Sequence, residues 1–218
     1  MTQTLLNIIR EKYALAELDV GDMANLRANG MSFVISAYNA KGLGHVSVMR
    51  AKGFFGLMKM DTLIINPTEI DLPLYSYDRI YAMGNDTLIV ELYDTLSGAC
   101  DLSELEAVKD RYADLAQRDP GEHWYDSIKL PESISKKGKK SSKERHDQLT
   151  AQHFLAYLEA AKTQDVDRNK KIRKAACYVD GLLANGGPST DVFKKSLGLT
   201  KTSLLFKNIL FGTETRLF

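Results

Sequence analysis

Residues 71–95, DLPLYSYDRIYAMGNDTLIVELYDT, contain the pattern that decides the fold. Two runs rich in β-branched and aromatic residues, 76–83 and 87–93, predict two neighbouring strands. Residues 84–86 between them read Gly-Asn-Asp, which is typical of a short hairpin turn because Gly and Asn tolerate a positive φ. In the second strand Leu88, Val90 and Leu92 share one face by the two-residue period, and we expect this face to contact the core.

Asp78 is the unusual residue of the first strand. By the same period it shares a face with Ile80 and Ala82, while Arg79 belongs to the opposite face. An acid on an apolar face costs free energy unless it has a partner or a ligand. Asp78 therefore either pairs with Arg50 or Arg79, or caps a loop, or it belongs to a functional site.

The rest of the chain predicts strands first and helices afterwards. Further strands are expected at 31–38, 45–50 and 57–65, and helices at 4–18, 102–117, 148–162, 169–183, 190–197 and 201–211. Consecutive strands joined by short turns indicate an antiparallel sheet. We therefore predict a single α+β domain over residues 1–218, in which a sheet of about six or seven strands is sandwiched between α-helices in three α/β/α layers.

A basic segment interrupts the second half of the chain. Residues 133–147, SISKKGKKSSKERHD, contain almost no apolar side chain, and we expect them to form an exposed basic loop. No aromatic residues are interleaved with the lysines, so the pattern does not favour nucleic-acid binding.

Composition excludes several classes of protein. The net charge of +1 does not indicate a general nucleic-acid binder, and no apolar run reaches membrane-spanning length. Cys100 and Cys177 lack metal-binding spacing, and the four histidines form no ligand motif, so we expect no metal. The N-terminus lacks the basic-then-apolar layout of a secretory signal. We expect a cytoplasmic monomer without a nucleic-acid or membrane partner.

Several motifs resemble a known family. Residues 72–78, LPLYSYD, resemble the segment Leu-Pro-aromatic-x-x-Asp of the ferredoxin-dependent bilin reductases. Near the C-terminus, residues 192–198, VFKKSLG, and 208–211, NILF, resemble two further motifs of that family at the same spacing. The chain is identified as a divergent member of this superfamily, which includes the red chlorophyll catabolite reductases.

The resemblance implies an activity and a set of catalytic residues. It implies reduction of a linear tetrapyrrole such as biliverdin by single electrons from reduced ferredoxin or a similar acidic donor, with no bound cofactor. Asp78 corresponds to the aspartate that takes part in protonation. His45 corresponds to a strand histidine, but Ser47 stands where the family has a glutamate, and Asp61 stands where an ungapped count places a second histidine. A carrier that binds a bilin or haem without catalysis is the alternative, which Ser47 and Asp61 favour.

Substrate-binding and docking residues follow from the same comparison. A flat pigment needs an apolar slot, and its propionates need cationic partners. Each residue chosen for these roles also fits an ordinary core or surface position. The predicted substrate-binding residues are Ser47, Arg50, Met60, Tyr77, Arg79, Asn185 and Phe206. The predicted docking residues for an acidic donor are Lys136, Lys137, Lys139 and Lys140.

Overall fold

One antiparallel sheet organises the chain in the computed structural model, which describes residues 1–214, with Pro188 described by its backbone alone. Eight strands within this range form the sheet: β1 Leu15–Leu18, β2 Asn25–Ala28, β3 Met31–Ala40, β4 Gly44–Gly53, β5 Met58–Asn66, β6 Leu74–Ala82, β7 Asn85–Tyr93 and β8 Ile134–Lys139. Their order is β1-β3-β4-β5-β6-β7-β8, and β2 pairs with the same edge of β3 as β1. From β2 to β8 each strand pairs with the next strand in the chain, whereas β1 pairs with β3.

Helices cover both faces of the sheet. On one face lie α1 Thr2–Lys12, α2 Ser103–Arg111 and α3 Lys143–Glu159, and on the other lie α4 Arg168–Asn185, α5 Pro188–Leu204 and a π-helical turn Leu205–Leu210. This arrangement confirms the predicted α+β class with three α/β/α layers. The described sheet has eight strands, more than the six or seven expected, because the short strands β1 and β2 carry too few residues to show a period.

The predicted core face is confirmed. Leu88, Val90 and Leu92 are fully buried against the layer formed by α1, α2 and α3. The opposite sheet face also packs on helices, through apolar residues of β3, β4 and β5 and through α4 and the π-helical turn. Both faces of the central strands are therefore buried, which explains why apolar residues do not alternate cleanly with polar ones there.

The central hairpin turns one residue earlier than predicted. Met83 and Gly84 form the turn, with φ of 51° and 75°, and Ala82 pairs with Asn85 across it. Two positive φ values match the two-residue hairpin turn whose twist fits antiparallel strands. Asp86 consequently lies inside β7 rather than in the turn, and it is fully buried.

The predicted loop at 133–147 is wrong in its secondary structure. Residues 134–139 form β8, which pairs with β7, and α3 begins at Lys143. The ammonium group of Lys136 is buried and donates to the carbonyl oxygens of Tyr112 and Leu115, just after α2. Backbone pairing does not require apolar side chains, and lysines are common on edge strands, so a basic composition could not exclude a strand here.

Two predicted helix boundaries are also wrong. The first helix ends at Lys12 instead of continuing to residue 18, and residues 15–18 pair with β3 as β1. The helix predicted at 102–117 ends at Arg111. In each case apolar residues continue at helical spacing past the end, although the segment that follows is a strand in the first case and a turn in the second.

Candidate functional site

A cavity of about 360 Å³ lies between the sheet and the layer formed by α4, α5 and the π-helical turn. Volumes of this size are typical of sites for small organic ligands. Its floor consists of residues of β4 to β7 whose side chains lie on the sheet face toward α4 and α5, namely Met49, Met58, Met60, Thr62, Ile64, Ser76, Asp78, Ile80, Ile89, Glu91 and Tyr93. The helical side contributes mainly apolar and aromatic residues, including Tyr178, Leu182, Val192, Phe193, Phe206, Leu210 and Phe211.

Asp78 lies on the cavity floor, in the middle of the face that the sequence predicted. Its carboxylate accepts a hydrogen bond from the hydroxyl of Thr62, the residue directly opposite on β5. The pKa of Asp78 is raised from the ordinary 3.8 to about 6, because burial, helped by the negative charge of Glu91, outweighs the opposing effect of the Thr62 hydrogen bond. A carboxyl group with this pKa is protonated in about a tenth of molecules at pH 7, far more than an ordinary aspartate, and in that form it can donate its proton.

Glu91 is a second carboxyl group on the same floor. In the sheet register Asp78 lies opposite Ile89, and Glu91 lies two residues further along β7, so the two acids are diagonal neighbours. The hydroxyl of Tyr93 donates to Glu91 over 2.6 Å. Asp78 therefore has an acidic neighbour that is itself hydrogen-bonded, which is an arrangement suited to holding and moving protons.

Three tyrosines stack along the wall beside Glu91. The rings of Tyr93 and Tyr178 lie 4.1 Å apart, and Tyr125 packs edge-on against both at 5.6 and 5.9 Å. Burial raises the pKa of all three phenols, so their hydroxyl groups stay protonated at neutral pH. The wall is thus aromatic and neutral, and it suits a flat conjugated ligand.

Arg118 and His123 bring the polar groups of a connecting segment to the cavity. Arg118 is the one lysine or arginine among the lining residues of 1–214, and a guanidinium nitrogen lies 3.4 Å from the hydroxyl of Ser135. The ring of His123 stacks on Tyr125 at 4.8 Å, and its buried Nδ1 has no hydrogen-bond partner within the described chain. These two residues could contact an anionic or hydrogen-bonding ligand.

His45 and Ser47 lie on the same sheet face as the cavity floor but do not line the cavity, because they anchor the end of the π-helical turn. The His45 Nε2 lies 2.7 Å from the carbonyl oxygen of Ile209, and the Ser47 hydroxyl donates to that of Leu210 over 2.7 Å. Asn66 completes the set by donating to the carbonyl oxygen of Phe211. Burial lowers the pKa of His45 to about 4, so the ring is neutral at pH 7. The geometry gives His45 a structural role and contradicts its predicted catalytic one.

Four other predicted site residues lie on the wrong face of the sheet. Asp61 pairs in register with Arg50 and Arg79, and all three side chains belong to the face opposite Asp78. Arg50 is exposed there, whereas Arg79 is fully buried and binds the carboxylate of Asp86, which also contacts His146. Tyr77 is fully buried in the core on that face. A one-residue step along a strand reverses the face, so none of these side chains reaches the cavity.

Of the remaining predicted site residues, some lie where their predicted role requires and others do not. Met60 and Phe206 line the cavity as expected. Asn185 is exposed at the end of α4 and does not line it. Among the proposed docking lysines, Lys136 is buried by its bonds to backbone carbonyls and cannot contact a partner, whereas the other three lysines are exposed.

Sequence reasoning missed most of the lining, including three residues with titratable or charged side chains, Glu91, Arg118 and His123. For Glu91 a signal existed, because the alternation of Leu88, Val90 and Leu92 places Glu91 on the opposite face, the one that holds Asp78. For Arg118 and His123 no local pattern was available, since both belong to an irregular connection between α2 and β8.

A buried ion pair holds α4 over the cavity. The ammonium group of Lys171 on α4 lies 3.3 Å from the carboxylate of Asp71 and donates to the carbonyl oxygens of Leu72 and Thr95. Both charged side chains are inaccessible to solvent. These bonds join α4 to the start of β6 and the end of β7, and so position Tyr178 above the floor.

Two further searches of the described residues were negative. No group of three or more His, Cys, Asp and Glu side chains within residues 1–214 is arranged to hold a metal ion. None of the helices in this range combines the length and apolar character needed to cross a lipid bilayer.

Comparisons with known proteins establish the fold. No protein-family model and no curated protein matches the sequence. Among solved structures, the chain is similar to phytochromobilin synthase from tomato, crystallised in complex with biliverdin, with a TM-score of 0.72 and 13% sequence identity over 100% of this chain and 85% of that one. The chain therefore has an antiparallel α+β fold similar to that of bilin reductases.

Proposed function

We propose that the protein reduces a linear tetrapyrrole of the biliverdin type, using electrons from ferredoxin or a similar acidic donor and a proton from Asp78. The observation that carries the proposal is the position of Asp78, a carboxyl group of raised pKa on the floor of an apolar and aromatic cavity. The fold likeness to a biliverdin-bound synthase supports the choice of ligand.

The proposed chemistry requires two electrons and two protons for each double bond reduced. The donor supplies the electrons singly, and the conjugated ligand accepts them, so no resident cofactor is needed. Asp78 gives its proton to the reduced pigment, and Thr62 keeps the carboxyl group oriented. Glu91, linked to Tyr93, is suited to return a proton to the site between steps. The stacked tyrosines and the methionines of β4 and β5 exclude water from the pigment.

Arg118 is our candidate partner for a propionate group of the pigment. It is the cationic residue of the cavity lining, and a guanidinium can bind a carboxylate through two parallel hydrogen bonds. This assignment replaces Arg50 and Arg79, whose side chains belong to the other face of the sheet.

Docking of an acidic electron donor involves the exposed lysines of the edge strand and the turn after it. Lys137 and Lys139 lie on β8, and Lys140 follows it. Replacing these three with serine should slow electron delivery, weaken its salt dependence and leave pigment affinity unchanged. Unchanged turnover with unchanged salt dependence would place donor docking elsewhere on the surface.

The test is an anaerobic reaction of protein, biliverdin and a reduced ferredoxin system, followed by absorbance. Bleaching or a blue shift of the long-wavelength band indicates reduction of the pigment. Asp78→Asn keeps the size of the side chain but removes the transferable proton. We expect this variant to bind biliverdin normally, accept one electron and stall as a radical that is visible by electron paramagnetic resonance.

Asp61→Asn is the matched control, because it makes the same chemical change on the same sheet but on the face away from the cavity. It should turn over at the wild-type rate. Wild-type turnover by Asp78→Asn would instead show that Asp78 is not the proton donor.

A tetrapyrrole carrier without catalysis is the second candidate function. The observation that favours it is the engagement of His45 in anchoring the π-helical turn, together with the position of Asp61 outside the cavity. Two of the three proton-handling groups predicted from the sequence are thus absent from the site. A stable, shifted biliverdin spectrum that does not change when reduced donor is added would support the carrier.

A further inference from the structure

Three hairpin turns meet at one end of the sheet and form an exposed apolar tip. The register places the turns after β2, β4 and β6 side by side, since Met31 pairs with Gly53, Gly53 with Met58, and Met58 with Ala82. We use the name apolar tip for the large exposed side chains of these turns, which are Phe54, Phe55, Leu57 and Met83. Phe55 and Met83 are almost entirely accessible, at 110% and 89% of their reference exposure. Adjacent apolar side chains exposed to this degree indicate a binding surface.

The backbone of the apolar tip is strained. Phe54, Phe55 and Met83 have φ of 50°, 55° and 51°, in the left-handed region that disfavours side chains of this kind. Asn or Gly would relieve the strain at each position. The chain instead holds large apolar side chains outward at a cost in free energy, which points to a function for them.

Lysines stand directly behind the apolar tip. Lys52 and Lys59 lie opposite each other on β4 and β5, an unfavourable pairing of like charges, and neither forms an ion pair with any residue of 1–214. Lys139 and Lys140 continue the basic row beside the Met83 turn. Asp86, which lies in β7 just after the Met83 turn, is buried and paired with Arg79. The end of the sheet thus presents positive charge to any partner, and an anionic partner is its complement.

We propose that this end of the molecule docks on an anionic lipid surface, with the apolar tip inserted between headgroups and the lysines bound to phosphate or carboxylate groups. The spacing between the apolar tip and the lysines agrees with the depth to which interfacial anchors insert. A strand rises about 3.3 Å per residue, which puts the lysine row a few ångströms behind the tip. Interfacial anchors insert about 5–10 Å. A protruding, convex tip suits a fluid surface better than a flat protein partner. Docking of this kind needs no spanning segment, so it is compatible with the helices described above, but it departs from the expectation, drawn from the sequence, that the protein has no membrane partner.

The cavity reaches the same end of the sheet. Phe54 and Asn29, from two of the turns, and Met58, at the start of β5, line it. A pigment dissolved in the membrane could then enter without passing through water. This consequence rests on the proposed function, whereas the docking itself does not and can be tested with the protein alone.

The experiment measures flotation of the purified full chain with vesicles of phosphatidylcholine alone or mixed with phosphatidylserine. We expect binding to the mixed vesicles, weakening with salt, and little binding to neutral ones. Phe55→Asn combined with Met83→Asn should lower vesicle binding by about tenfold or more. The same double variant should unfold at an equal or higher temperature, because Asn tolerates left-handed φ. If Phe55 and Met83 had only a structural role, their replacement would not combine weaker vesicle binding with an equal or higher unfolding temperature.

Matched controls separate the two components of the surface. Leu199→Gln removes an exposed apolar side chain of α5 that does not belong to the three turns, and it should leave binding unchanged. Lys52→Gln with Lys59→Gln should weaken binding by about fivefold per lysine, whereas Lys195→Gln with Lys201→Gln, both exposed on α5, should have little effect.

Three results would overturn the proposal. These are failure to bind the mixed vesicles, equal binding to neutral and mixed vesicles, and unchanged binding by the Phe55 and Met83 double variant. If the double variant alters only self-association or the rate of electron delivery, the tip serves a second copy or a protein donor, and the lipid assignment is wrong.

Discussion

Replacing Asp78 with asparagine should stabilise the fold at neutral pH. The carboxylate lies on an apolar floor, where burial and the charge of Glu91 raise its pKa from 3.8 to about 6. The ionised form that dominates above that pKa is therefore poorly solvated in the folded protein. Asparagine keeps the oxygen that accepts from Thr62 and removes the charge.

The magnitude follows from the shift in pKa. A rise of about 2 pH units corresponds to about 3 kcal/mol. Between about pH 4 and pH 6 the folded state holds a proton on Asp78 that the unfolded chain has released, so the stability of the wild type falls as pH rises through this window. Asp78→Asn lacks this loss. It should exceed the wild type by about 2–3 kcal/mol in free energy of unfolding above pH 7, and the gap should close toward pH 4.

Urea denaturation of both proteins at a series of pH values measures the difference. Asp61→Asn is the control, because Asp61 lies between Arg50 and Arg79 on the other face, and its replacement removes a half-buried charge next to two arginines instead of a carboxylate on an apolar floor. It should not stabilise the protein. If Asp78→Asn is no more stable than wild type above pH 7, or if its advantage does not depend on pH, the carboxylate is well solvated and the argument for a proton donor fails.

Other predictions concern ligand binding, the stability of the fold in acid and the buried ion pair between Lys171 and Asp71. Arg118→Gln should weaken biliverdin binding by about ten- to a hundredfold in absorbance titrations, and Arg50→Gln should not change it. Since burial lowers the pKa of His45 to about 4, stability should fall as pH drops from 6.5 toward 4, and this acid-dependent loss should be smaller in His45→Gln. Lys171→Met leaves Asp71 buried without its ion pair and should cost about 3–5 kcal/mol in denaturant unfolding. A smaller loss of stability would mean that the backbone N–H groups of the neighbouring loop stabilise the Asp71 carboxylate sufficiently without Lys171.

Local patterns could predict the fold and the first residue of the site. The alternation in residues 88–92 identified the core face, and the turn residues between two apolar runs identified the hairpin. Together these placed Asp78 on an apolar strand face, where an acid costs free energy unless it has a partner or a ligand. Both inferences depend on interactions within a few residues, where periodicity and turn chemistry are set by the chain itself.

Periodicity could not decide which face of β5 contributes to the cavity. Asp61 and Thr62 are adjacent in the chain, and only the pairing of Thr62 with Asp78 assigns the face of each. The type of side chain favoured Asp61 as the site residue, yet the hydroxyl group of Thr62 is the one that lies at the cavity. The cross-strand register depends on the whole set of pairings across the sheet, which a single strand does not contain.

The sequence by itself determined the class of fold, the core face of the hairpin and the exceptional position of Asp78, because these follow from local spacing. Tertiary structure alone decided the rest of the site. It brought Glu91, Arg118 and His123 to Asp78 from separate segments, and it committed His45 to the carbonyl oxygen of Ile209, far along the chain. Groups distant in sequence meet only when helices dock on the sheet, so no local pattern reports which of them share a cavity.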